Sequence, residues 1–273
     1  MYTPLRKLRL IFGLFLAISS QQASAIVINL DFGDGDNGLT ASQQSLFSQA
    51  ESFWENTLTG YQPSVNSDLF SAGVSISASG VTIDGAGDAE GNNVLAQAGW
   101  RTGWYTGGYA LPVTGIMEFD IADLDNMETA GILESVIVHE MAHVLGFGTL
   151  WTYNNVYVEG SGQYTGAAGL AAYQAEFDPF ATFVPVGTSN GHWAEEPFGG
   201  GLTGFTDANN NVWSYELMTP YLNSPTFMSN TTIQSFVDIG YTVSAVPEPA
   251  TIWLFISGLG LMFGFARKRQ VIG

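Results

Sequence analysis

The chain contains no cysteine, so a disulfide framework, a thiol switch and a cysteine nucleophile are all closed to it. Positive charge is nearly as scarce. Seven lysines and arginines stand against 25 aspartates and glutamates, a formal net charge of −18. Apart from Arg101, the basic residues sit at the two ends, as Arg6, Lys7 and Arg9 and as Arg267, Lys268 and Arg269. The acidic residues other than Glu248 lie between those ends. A middle so acidic excludes nucleic acid as a partner and suits solubility in a salty or crowded extracellular medium. Only three histidines occur, no internal repeat is visible, the N-terminal apolar run is too short to cross a bilayer comfortably, and the C-terminal one is close to the lower limit for a span.

Met1 to Ala25 reads as a secretory signal peptide for a signal peptidase: a basic start, the apolar run Leu10 to Ile18, then the small-residue site Ala23-Ser24-Ala25. At the other end Val246-Pro247-Glu248-Pro249-Ala250-Thr251 precedes the apolar stretch Ile252 to Ala266 and the basic cluster Arg267-Lys268-Arg269. By the positive-inside rule that cluster stays cytoplasmic while the domain is exported. Physics alone leaves a permanent membrane anchor and a sorting tail both open. The motif, span and basic end over 247–269 together resemble a PEP-CTERM sorting signal of Gram-negative bacteria that make exopolysaccharide. That resemblance implies cleavage near Pro-Glu-Pro by an exosortase, with only transient membrane contact through the C-terminal segment.

Residues 26–246 are ample for one cored domain with a cleft and short for two, so one domain with lobes 26–146 and 147–246 is expected. Ile26 to Phe32 predicts a first strand, ended by the turn Asp34-Gly35-Asp36-Asn37-Gly38. A helix is expected from Ser42 to Leu58, with Leu46, Ala50, Phe53, Trp54 and Thr57 on its inner face. Alternation in Val74 to Ala78 and again in Val81 to Ile83 predicts a hairpin or two short strands, and the glycine-rich 85–108 only turns. Ile116 to Asp120 is a further strand. Apolar residues from Met127 to Leu145, among them Ile132, Val136 and Met141, recur at helical spacing up to the stop at Gly146. Short helices are expected over 167–176 and 231–238.

Val138-His139-Glu140-Met141-Ala142-His143 lies on that central helix. Histidines four apart stand one turn above each other and offer two imidazole nitrogens to one ion, while Glu140 can reach a water on it. Zinc suits such ligands, and a catalytic zinc keeps three protein ligands and an open position. The third histidine, His192, would complete the set. The bland readings are a pair of satisfied helix histidines and an exposed loop histidine beside Trp193. Gly146 follows His143 by three, as in metzincin peptidases, but Thr149 occupies the place of the third ligand in the compact form of that pattern. An insertion before the third ligand is therefore required.

The order His139 to Gly146, Phe147-Gly148-Thr149-Leu150-Trp151, Tyr164-Thr165-Gly166-Ala167, His192-Trp193, Glu216-Leu217-Met218-Thr219 and Asp238-Ile239-Gly240-Tyr241 resembles the leishmanolysin family over roughly residues 115–243. The resemblance implies an α+β fold of metzincin type, with an N-terminal mixed sheet, an active-site helix and an irregular helical C-terminal lobe. It also implies that His192 is the third zinc ligand and that Met218 belongs to the Met-turn, an apolar floor under the metal. Two departures stand out. Ala194 intervenes between His192-Trp193 and Glu195-Glu196, where the family often has glutamate directly after His-Trp, and the cysteines of eukaryotic members are absent.

The expected function is a secreted zinc endopeptidase acting on polypeptides, with Glu140 as general base. The strand near Ile116 to Phe119 is expected to bind extended substrate. The rival from another class is a non-catalytic, zinc-containing matrix or adhesion protein of the exopolysaccharide layer. Calcium at Asp34-Gly35-Asp36-Asn37 or at Asp207-Ala208-Asn209-Asn210-Asn211 is open but unsupported, because neither has the ligand spacing of a known loop and both suit turns.

Overall fold

The computed structural model of the protein describes residues 25–33, 37–86, 94–188, 190–195 and 205–244. Both terminal signals, Asp34 to Asp36 and Glu196 lie outside the described residues. Among the described residues no helix is long and apolar enough to cross a membrane.

Strand β1 (Ile28–Asp31) leads through helix α1 (Ala41–Thr57) into β2 (Leu58–Tyr61) and β3 (Val74–Val81). Strands β4 (Ala96–Thr106) and β5 (Tyr109–Asp120) form a long hairpin, followed by helices α2 (Ile121–Ala130) and α3 (Leu133–Leu145). The second half contains β6 (Gln163–Tyr164), α4 (Ala167–Glu176), β7 (Val184–Pro185), α5 (Asn230–Asp238) and β8 (Tyr241–Val243). The main sheet has the order β1-β3-β5-β4, with β1, β3 and β5 parallel and β4 antiparallel at one edge. Parallel neighbours need a crossover, and the stretch from β1 through α1 supplies one.

The signals at each element explain these bounds. Thr40 and Gln43 form a capping box that starts α1, the threonine side chain accepting from the Gln43 amide and the glutamine side chain accepting from Thr40. The buried face of α1 carries Gln43, Phe47, Ala50, Trp54 and Thr57. Leu46 and Phe53, expected inside, are only half-buried at its margin, and Phe47 takes the central place against Phe119, with ring centroids 5.1 Å apart. The hairpin or pair of strands expected at 74–83 is a single strand, β3. Its Val74, Ile76 and Ala78 point inward, and β3 pairs with β5 without a break from Ser75 to Val81, which leaves no room for a turn.

The turns expected across 85–108 are replaced in part by β4. This strand is exposed along much of its length, so it lacks the apolar alternation that marks a half-buried strand. Nor is 127–145 one helix. Gly131 adopts φ 72°, and the Ile132 and Gly131 amides donate to the Met127 and Glu128 carbonyls at 3.0 Å each, a Schellman stop that closes α2 before α3 begins. The apolar rhythm continues across the break because both helices pack on the same core, and that continuity disguises the stop.

A single core runs through both halves. Helix α3 lies between α1 and the strands β4 and β5, and the Trp54 indole N–H donates to the Val138 carbonyl at 3.0 Å. The β2–β8 pair and the Tyr241 hydroxyl, which donates to the Leu145 carbonyl at 3.0 Å, join the chain's end to the first half. The division at residue 146 therefore marks two sides of a cleft within one core.

Candidate metal centre

His139, Glu140 and His143 sit near the C-terminal end of α3, whose last turn closes with a second Schellman stop. Gly146 and Phe147 donate their amides to the carbonyls of His143 and Ala142, at 3.2 and 2.9 Å. That turn carries the Phe147 carbonyl back under the helix, where it accepts from His143 Nδ1 at 3.0 Å. His139 Nδ1 donates to the Leu217 carbonyl at 2.7 Å. A carbonyl has no proton to give, so each Nδ1 carries the hydrogen and each Nε2 presents a lone pair.

His192 arrives from the far side of the cleft. Its Nε2 lies 3.0 Å from that of His139 and 3.1 Å from that of His143, and the latter two are 3.1 Å apart. The three sequence-predicted ligands are thus brought together, and among the described residues they form one of two clusters able to hold a metal ion. Zinc bonds of about 2.0–2.1 Å at tetrahedral angles place nitrogens about 3.3 Å apart, so this triangle fits one face of such a site. Lone pairs aimed at one point repel unless a cation lies between them.

Burial keeps these imidazoles neutral, the form that ligates. Desolvation first, then neighbouring His143, pushes His139 down to about 3 against the opposing bond to Leu217. Desolvation lowers His143, and desolvation together with the other two rings holds His192 well below its ordinary value. Glu140, 7 % exposed, is pushed up to about 8 by burial. A divalent cation beside it acts in the opposite direction. His139, Glu140, His143 and His192 all line a cleft of about 470 Å³, whose wall also includes Val94 to Ala98 and Tyr221.

The approach of His192 is set by backbone contact. Gly148 has φ 71°, and a Cβ there would run into the carbonyl of Gly191, the residue before His192. Gly148→Ala is therefore expected to cost about 1–2 kcal/mol from the left-handed conformation alone. It also pushes the His192 loop outward. Thermal melting and metal content measured together check this, since strain without displacement lowers the melting temperature and leaves the metal in place. Behind His192, the Trp193 amide donates to the Met218 carbonyl at 3.0 Å and its indole to Thr232 Oγ1 at 2.8 Å. Trp193 stacks on Trp151 at 4.9 Å.

Met218 is fully buried, and the carbonyl of its neighbour Leu217 holds His139. Glu216, invisible as a functional residue in the sequence, organises this turn. Its buried carboxylate accepts from the Met218 amide at 2.6 Å, the Ser229 amide at 3.1 Å and hydroxyl at 2.9 Å, and Thr232 Oγ1 at 2.6 Å. Burial raises its pKa and these bonds oppose the rise. Thr149 donates its hydroxyl to the His143 carbonyl at 2.6 Å, so the position of the compact third ligand instead braces the helix end. Glu195 accepts from Asn223. At the second calcium possibility the Asp207 carboxylate accepts from Asn209 and Asn211 within its own turn. The strand expected to hold substrate, Ile116 to Phe119, is corrected: it lies inside the sheet between β3 and β4, with its backbone edges taken.

Residues 245–270 match the PEP-CTERM protein-sorting motif. This signal marks export and cell-surface sorting in Gram-negative bacteria, and an exosortase processes it. No curated protein matches the chain.

Proposed function

We propose that this protein is a zinc-dependent endopeptidase with a leishmanolysin-like, metzincin-type catalytic site, working outside the cytoplasm. The observation that carries the reading is the convergence of three Nε2 atoms at 3.0–3.1 Å on a cleft that also holds the buried Glu140. Held by His139, His143 and His192, zinc would supply Lewis acidity toward a scissile carbonyl and lower the pKa of a water to about 7. Glu140 accepts the proton of the attacking water and passes it to the leaving amine. Its burial supports that role, since a carboxylate deprived of solvent is a stronger base. Retention of a base beside the ligands is not what a purely structural zinc site requires, because such a site fills its fourth position with another protein ligand.

Substrate in extended form pairs with the Val94 to Ala98 edge. Among the described residues β4 has β5 on one side and no strand on the other, and the free side belongs to the cleft wall. Backbone pairing is sequence-tolerant, which suits an endopeptidase acting on polypeptides. Met218 supplies an apolar floor to the site. In this reading a signal peptidase removes residues 1–25 and an exosortase cuts near Pro247-Glu248-Pro249, so membrane contact is transient.

The test is casein digestion by the exported protein with and without a zinc chelator. Digestion that stops with chelator and returns with added zinc is the expected result. A zinc-loaded protein that digests neither casein nor unfolded peptides would instead be the non-catalytic matrix or adhesion protein.

A further inference from the structure

A second cluster lies apart from the histidines. Asp84 in the loop after β3, Asp120 at the end of β5 and Asp123 in the first turn of α2 bring one carboxylate oxygen each to within 4.8 Å of one another. Asp120 is committed to the backbone: Oδ2 accepts the amides of Ile83, Asp84 and Gly85 at 3.1, 2.8 and 2.7 Å, and Oδ1 accepts that of Ala122 at 2.9 Å. Those bonds, that of Ala122 foremost, hold its carboxyl down at about 2. The backbone therefore explains Asp120. It gives Asp84 one donor, the Val94 amide, and does not explain Asp123.

Asp123 is 5 % exposed, and its Oδ2 has no hydrogen-bond partner. A buried carboxylate oxygen without a donor is costly, and the cost rises with two further carboxylates alongside. The chain has little to set against them, since Arg101 is the sole lysine or arginine between Arg9 and Arg267 and is exposed on β4. The compensating charge has to come from solution.

We propose that Asp84, Asp120 and Asp123 form a site for a hard divalent cation of the calcium class, which fastens the loop after β3 to the head of α2. The donors are oxygen only, which selects against zinc and for calcium or magnesium. Calcium ligands stand about 2.4 Å from the ion, so two of them can be up to about 4.8 Å apart, and a set drawn from a loop, a strand end and a helix suits its tolerant geometry better than the strict octahedron of magnesium. Backbone carbonyls and water complete the shell.

The site reaches the cleft through two bonds. Asp84 Oδ2 accepts the Val94 amide at 3.0 Å, and the Asp120 amide donates to the Leu95 carbonyl at 3.0 Å. Val94 and Leu95 both line the cleft wall. Cation binding thus anchors the start of the substrate-pairing edge. The site itself does not depend on the peptidase reading, because its test reads stability and binding.

The exported protein, zinc-loaded in calcium-depleted buffer, is titrated with calcium chloride and followed by calorimetry and thermal melting. One saturable binding event is expected, with a rise in melting temperature on the order of 5 °C at saturation and a smaller rise with magnesium. Asp123→Asn and Asp84→Asn each abolish the calcium-dependent rise without changing the zinc content. In calcium-free buffer Asp123→Asn melts no lower than the parent, because a buried like charge has been removed. A melting temperature indifferent to calcium, or a calcium response unchanged in both variants, overturns the site; an equal response to magnesium overturns the calcium class.

Discussion

A His192→Ala variant is expected to lose its zinc and its proteolysis together while keeping its secondary structure. Two ligands remain on α3, but a catalytic site has only three. If a zinc site is worth about 10–16 kcal/mol over its three ligands, each imidazole carries about 3–5 kcal/mol, and removing one weakens binding about 10²–10⁴-fold. The fold survives because the loop around His192 is held by other atoms. The Gly187 amide donates to the His192 carbonyl at 2.9 Å, the Ala194 amide to Pro185 at 2.9 Å, and the Trp193 amide and indole to Met218 and Thr232. Metal analysis after dialysis, with far-ultraviolet circular dichroism as control, reads both halves of the expectation. One zinc per chain retained by the variant would remove His192 from the site.

Glu140→Gln separates binding from chemistry. Glutamine keeps the shape of the side chain and leaves all three nitrogens in place, so zinc content is expected to equal that of the parent. What it loses is the capacity to take a proton, and kcat/KM for peptide hydrolysis should fall about 10²–10⁴-fold. The comparison is made at equal zinc occupancy, with a fluorogenic peptide and purified variant. Hydrolysis at the parental rate by fully loaded Glu140→Gln would falsify the role given to this carboxylate and favour a metal site without peptidase chemistry.

The parts of this architecture legible in the sequence are those set by local rules. His139 and His143 follow from helical spacing, and α4 and α5 appear where periodicity and punctuation place them, over 167–176 and 231–238. Gly146 was legible as a stop because a glycine after a periodic run is one. What escaped depends on partners distant in the chain. Strand β4 carries Gly99 and Gly103 and an exposed face, and it exists because β5 returns alongside it. The break at Gly131 was hidden by a core that both flanking helices share. Glu216 looks like any surface glutamate until Ser229 and Thr232 are brought beside it by the start of α5. Asp84, Asp120 and Asp123 lie in no recognisable loop pattern, because a crossing of three elements assembles them. His192 falls between the two kinds: the scarcity of histidine pointed to it, and the Gly148–Gly191 contact delivers it.

The stack of Trp193 on Trp151 places a pair of close-packed indole chromophores directly behind His192. Their rings are 4.9 Å apart and 28° from parallel, with Trp213 6.2 Å from Trp193 and both stacked indoles fully buried. Neighbouring indoles held at a fixed angle give optical activity whose size and sign depend on that angle, so it changes when either ring turns. A backbone displacement at residue 192 is passed to residue 193 through the peptide bond they share. The protein therefore carries an intrinsic spectroscopic gauge of its own site, readable without label, substrate or added dye.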